Sequence, residues 1–134
     1  MIKGFNHIGL AVHSIDETMA FMSKAFGAKI VFKQTAPEMG QTSAIVKIGD
    51  SYLELMEPCG EGVVKKYLEK HGPGFHHISI KTDNFEEDSK YLEEIGVTVF
   101  GKMDIGIGKG GFTLPKTSGG LLYEILQMQE GLYE

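Results

Sequence analysis

The chain has 134 residues, 42% apolar and 23% charged, with a net charge of −5 in which all 13 cations are lysine. An acidic chain without a concentrated basic face argues against nucleic acid as a partner. Without arginine there is no bidentate guanidinium clamp, so an anionic substrate must be held by lysine, backbone amides or metal.

The first element is the strand-like phrase "GFNHIGLAV" from Gly4, part of a start too short in its apolar run for a signal peptide. Next, "SIDETMAFMSKAFG" sets Ser14 and Glu17 at capping-box spacing and Met19, Met22 and Phe26 at helical intervals, with Gly27 as the stop. Three strand runs follow: "AKIVFKQ", "TSAIVKIG" and "SYLELME". Residues 58–73 read as a connector, in which Val63, Val64, Tyr67 and Leu68 predict a short helix. The lone Cys59 lies in it and suits a reducing compartment. "GFHHISIKT" then opens a second round from Gly74. A helix begins at Asn84 and Glu87, carries Phe85, Leu92 and Ile95 as apolar positions and ends at Gly96. The strand runs "VTVF", "GGFTLP" and "GLLYEILQ" complete the chain. No stretch is long enough to cross a membrane, so the cytoplasm is the expected location.

The two rounds are copies. An offset of 70 carries Gly4 onto Gly74, His7 onto His77, Glu54 onto Glu124 and Leu55 onto Ile125. The expected fold is α+β: two paired βαβββ modules forming a cupped eight-stranded mixed sheet with flanking helices. Module one is 1–57, the connector 58–73 and module two 74–134. Neither half buries enough surface alone, so the sheets should pair and leave a concave face for a ligand.

Each histidine precedes its glutamate by 47 residues, although the helices between differ by one residue. Strand alternation turns Leu53 and Leu55 toward the helix-covered side and Glu54 away from it, and Glu124 follows the same rule. A carboxylate in an apolar strand is costly to bury unless something positive faces it. His7, Glu54, His77 and Glu124 supply two imidazoles and two carboxylates, the donors of a divalent metal site with two positions left for water or substrate. Cobalt, manganese, nickel and zinc all accept this set. A strand histidine by itself is ordinarily a surface or hydrogen-bonded residue; the matched second pair shifts the balance. His76 faces the opposite way from His77 and is not expected to bind. His13 and His71 fall in expected turns and read as solvated. "GIGKGG" lacks the following helix of a dinucleotide loop and reads as a flexible hairpin.

The duplicated pattern with "NHIGLAV", "YLELMEP", "HHISIKT" and "LLYEILQ" resembles the vicinal oxygen chelate superfamily over essentially the whole chain. That resemblance implies a divalent metal held between modules, one His and one Glu from each, and a homodimer. "APEMG" is similar to the Pro-Glu-x-Gly segment of the methylmalonyl-CoA epimerase family, which implies Glu38 as a catalytic base. "LPKTSGGLLYEILQ" resembles that family's ending, usually written His-Pro-Lys, with Leu114 in the histidine's place; Lys116 there is a candidate to touch an acidic group of the substrate. "DIGIGKGG" departs from the family's usual segment.

The chemistry implied is epimerisation of a small acyl-CoA through its enolate, with one base on each face of the planar intermediate. Glu38 is one base; the second stays open, with Glu124 suggested by resemblance to glyoxalase I. Glyoxalase I itself, isomerising a glutathione hemithioacetal to its thioester, is the enzymatic alternative, and a non-catalytic small-molecule binding or resistance protein is the other.

Overall fold

The computed structural model describes residues 1–104 and 106–129. Ile105, inside "DIGIGKGG", and residues 130–134, with which module two ends, lie outside the described residues. The elements in chain order are β1 (Ile2–Ala11), α1 (Ile15–Phe26), β2 (Lys29–Ala36), β3 (Gln41–Ile48), β4 (Ser51–Pro58), α2 (Val63–His71), β5 (Gly74–Thr82), α3 (Phe85–Glu94), β6 (Val99–Asp104), β7 (Gly108–Thr113) and β8 (Tyr123–Met128). Short 3₁₀ turns at Pro37–Met39 and Pro115–Thr117 interrupt the strands. This is βαβββ twice, with α2 in the connector. The strands form an eight-stranded sheet in the order β2-β3-β4-β1-β5-β8-β7-β6. It is mixed: β1 runs parallel to β4 and β5 to β8, whereas the β2–β3, β3–β4, β6–β7 and β7–β8 ladders are antiparallel. No described helix is long and apolar enough to cross a membrane.

The chain divides into two compact units, His7–His76 and Met1–Asn6 with His77 onward. In the first, Ser14 caps α1, its hydroxyl accepting the Glu17 N–H at 3.1 Å, and Gly27 closes the helix in the left-handed conformation. Ile15 and Met22 turn inward against Val12, Ala28, Ala44, Val46 and Leu55, with Leu10 and Leu53 beside them. Phe26 does not join them. It is 57% exposed at the end of α1 and meets Phe21 edge-on at 5.6 Å. A second cluster, Ala11, Met56, Val64 and Leu68, seats α2. His71 belongs to the last turn of that helix rather than to a loop, and its ring tilts against Tyr67 at 4.8 Å.

In the other unit, Asn84 caps α3, its side-chain oxygen accepting the Glu87 N–H at 3.1 Å. The helix ends at Glu94 with Ile95 as its cap, one residue before Gly96, and Ile95 is exposed rather than apolar core. Phe85, Val99 and Ile125 form the core, with Ile80 and Leu92 packed against it. The β6 run starts at Val99, later than "VTVF" suggests, and β7 starts at Gly108, two residues before "GGFTLP", so the end of "GIGKGG" is strand rather than flexible hairpin. The reason is close packing: a Cβ on Gly110 would stand 2.6 Å from the Ile125 carbonyl oxygen. The Met1 ammonium bonds Asp83 at 2.9 Å and meets Asp88 at 3.1 Å, and the Asp83 bond raises its pKa above the ordinary value.

Candidate metal and substrate site

Within the unit His7–His76, the β1–β4 register sets Gly9 beside Glu54 and Leu10 beside Leu55. Leu10, Leu53 and Leu55 pack on the α1 side, so alternation turns His7 and Glu54 to the opposite face. There His7 Nε2 lies 3.5 Å from Glu54 Oε1, with the imidazole 5% and the carboxylate 19% exposed. The pair is an ion pair only when the imidazole carries a proton; a neutral imidazole leaves both groups as donors to a cation.

The second unit repeats the device. The β5–β8 register sets Ser79 beside Glu124 and Ile80 beside Ile125. His77, two residues before Ser79 and on the same face, is 2% exposed, and its ligating nitrogen lies within 4.8 Å of a Glu124 carboxylate oxygen. Both sequence-derived His/Glu pairs are therefore brought together by their strands. His76 points the other way, with its ring edge-on to Tyr67 at 5.2 Å.

Two neighbours of the second pair escaped the sequence reading. Phe112 sits in register with Glu124 on β7, and its ring stands edge-on to His77 at 6.0 Å. The alternation of "GGFTLP" carried that signal. Ser79 is wholly buried, and its hydroxyl has no hydrogen-bond partner among the described residues. Its signal was the spacing of two from His77. An orphaned hydroxyl beside a carboxylate and a buried imidazole is an arrangement that one more polar group on this face would complete. The donor types, their burial and this hydroxyl fit a divalent metal.

Glu38 occupies the 3₁₀ turn Pro37–Met39 between β2 and β3, exposed to solvent. The turn closes with the Gly40 N–H donating to the Pro37 carbonyl at 3.1 Å. Lys116 stands on the corresponding turn Pro115–Thr117, also exposed, and Leu114 precedes it half-buried. His13 is exposed in the bend before α1.

Comparison with known proteins agrees with this geometry. Residues 6–113 match the family described as the glyoxalase/bleomycin resistance protein/dioxygenase superfamily. The chain is 31% identical over 134 residues to the ethylmalonyl-CoA/methylmalonyl-CoA epimerase of Cereibacter sphaeroides, a match covering 96% of this chain and 100% of that protein. It is 30% identical over 128 residues to the mitochondrial methylmalonyl-CoA epimerase of Homo sapiens, covering 91% and 72%. Among solved structures, a variant of Streptomyces coelicolor methylmalonyl-CoA epimerase in complex with 2-nitronate-propionyl-CoA is similar at a TM-score of 0.86 and 30% identity, covering 96% of this chain and 99% of that one.

Proposed function

Because the chain belongs to the glyoxalase/bleomycin resistance protein/dioxygenase superfamily, we propose that it epimerises methylmalonyl-CoA or a close acyl-CoA by moving the proton on the carbon between its two carbonyl groups. The observation that carries this reading is two His/Glu pairs together with a Pro-Glu-Met-Gly turn, in a chain about 30% identical to such epimerases along nearly its whole length. The glyoxalase I alternative gains no support from these relatives.

His7, Glu54, His77 and Glu124 would hold one divalent ion. When bound, that ion supplies a Lewis acid that stabilises the negative charge developing on the substrate's carbonyl oxygen. Burial of the two imidazoles among packed strands limits how far these donors can move. The exposed carboxylate of Glu38 is free to accept the α-proton, and its 3₁₀ turn lets it approach a planar enolate from one face. The opposite face needs a second base, and Glu124 on β8 would serve if it loosens from the ion. Lys116 would meet an acidic group of the substrate. A homodimer in the cytoplasm completes the proposal; family resemblance supports the former and the free Cys59 the latter.

Glu38→Gln tests the chemistry, because the amide keeps the shape of the side chain but cannot accept a proton. Exchange of the α-proton of methylmalonyl-CoA in heavy water, followed by NMR, should slow on the order of a hundredfold or more while substrate affinity changes little. Exchange at nearly the wild-type rate would place the base elsewhere.

A further inference from the structure

The turn that carries Glu38 leans on the connector, backbone against backbone. A Cβ built on Gly62 would stand 2.1 Å from the Met39 carbonyl oxygen, and one built on Gly40 would stand 2.0 Å from the Glu61 carbonyl oxygen. Real side chains do not reach such distances, so either addition forces the two segments apart. Gly40 is doubly constrained, since its φ of 70° lies in the left-handed region as well. Gly62 has an extended φ of 166°, which any residue adopts, so its requirement for glycine is one of space alone. The contact is also tied by a hydrogen bond, the Cys59 N–H donating to the Gly40 carbonyl at 2.9 Å. On its far side the connector is anchored by α2, whose Val64 and Leu68 are buried against Ala11 and Met56.

We propose that Gly62 is a positioning residue for the proton-transfer step: the connector, seated by α2, fixes where the Glu38 turn stands. The inference rests on the reading of Glu38 as base. It adds that a residue 24 positions further along the chain sets that base's geometry. The β2–β3 ladder ties the base of the turn through the Ala36–Gln41 pair, and the bond from Gly40 to Pro37 closes it; beyond these, its backbone rests on Glu61 and Gly62 of the connector. A displacement of about 1 Å at a catalytic group is enough to cost on the order of a hundredfold in rate.

The test compares Gly62→Ala with Gly60→Ala in the full-length protein, by α-proton exchange of methylmalonyl-CoA and by the urea midpoint. A Cβ on Gly60 meets only the Gly40 Cα at 3.9 Å, an ordinary contact, so Gly60→Ala should stay near wild type. Gly62→Ala should slow exchange at least tenfold with KM within about twofold, since only the turn moves. The same substitution placed on Glu38→Gln should cost nothing further in exchange, because a residue acting through Glu38 has nothing left to position. Additive losses would mean a general structural effect and would overturn the proposal, as would a wild-type rate in Gly62→Ala. If Glu38→Gln itself exchanges normally, the base assignment fails independently of Gly62. Should Gly62→Ala not fold, Val64→Ala loosens the same connector by removing volume instead of adding it. It should slow exchange several-fold in the wild-type background and not in Glu38→Gln, and a wild-type rate there overturns the proposal equally.

Discussion

The two units solve the same packing problem with different side chains. Where Ala44 on β3 faces Leu55 in the first, Gly111 on β7 faces Ile125 in the second. Where Ile15 begins α1, Phe85 begins α3, and both are buried. The larger helix residue and the smaller strand residue go together: a Cβ on Gly111 would come within 3.2 Å of the Phe85 ring, besides meeting Val99 Cγ1 at 3.1 Å and the Phe100 carbonyl oxygen at 3.2 Å. The polar devices did not diverge in this way. Each unit keeps its His/Glu pair, and each anchors the first N–H of its helix to the last part of its final strand. Ile15 donates to Glu57 at 2.6 Å, and Phe85 donates to Gln127 at 2.8 Å. Apolar volume can be redistributed among neighbours, but a donor in one place needs its acceptor in one place.

The sharpest way to break this comparison is through the ligand pairs. His7→Ala and His77→Ala should each abolish binding of a divalent ion, whereas His76→Ala should retain it, read as bound metal per chain after dialysis. Retention in either of the first two would mean that the pairs are not equivalent parts of one site. Unequal helix anchors give a smaller effect. Glu57→Ala removes a charged acceptor and should cost about 1.5–3 kcal/mol, against about 0.5–1.5 kcal/mol for Gln127→Ala, by urea unfolding. Equal losses would show that the charge on Glu57 adds nothing. The smallest effect concerns volume: Gly111→Ala should cost about 1 kcal/mol or slightly more, and Phe85→Ile in the same chain should recover part of it. Strict additivity in that pair would rule out the size exchange.

Most of this architecture was legible from the repeat. Alternation placed Glu54 opposite Leu53 and Leu55, and Glu124 opposite Ile125, because the period of a strand is two and leaves no choice of face once the core side is known. The helix starts at Ser14 and Asn84 were equally legible, since capping is a local interaction. Other residues were misread where a non-local neighbour decides. Phe26 has the right helical spacing but lies past the end of the core, so it pairs with Phe21 at the surface. Gly108 and Lys109 looked like part of a loop because glycine disfavours strands, yet β7 already begins at Gly108, where a Cβ would stand 3.2 Å from the Gln127 carbonyl oxygen on β8. Ser79 was open to a reading from its spacing of two from His77, and the alternation of "GGFTLP" gives the face of Phe112, but that Phe112 stands beside Glu124 depends on cross-strand register, which a single strand's pattern does not reveal. Residues 58–73 were read as a spacer with a helix. Their bearing on Glu38 came from two carbonyl oxygens whose clearance no sequence pattern records.

The division of β1 between the two units has a bearing on the order of synthesis. Residues 7–76 emerge from the ribosome as one continuous stretch, with every partner of that unit already present when the last of them appears. The other unit is begun by the first six residues and cannot be closed until β5 and the strands after it are made. Its ends are joined by Met1 contacts to Thr82, Asp83 and Asp88, across more than 80 residues of intervening chain. Until then, the segment with Ile2 and Phe5 waits without the partners of its own unit while residues 7–76 are already complete. The exposure of residues 2–6 to mispairing during synthesis therefore lasts until β5, their neighbour in the sheet, is made.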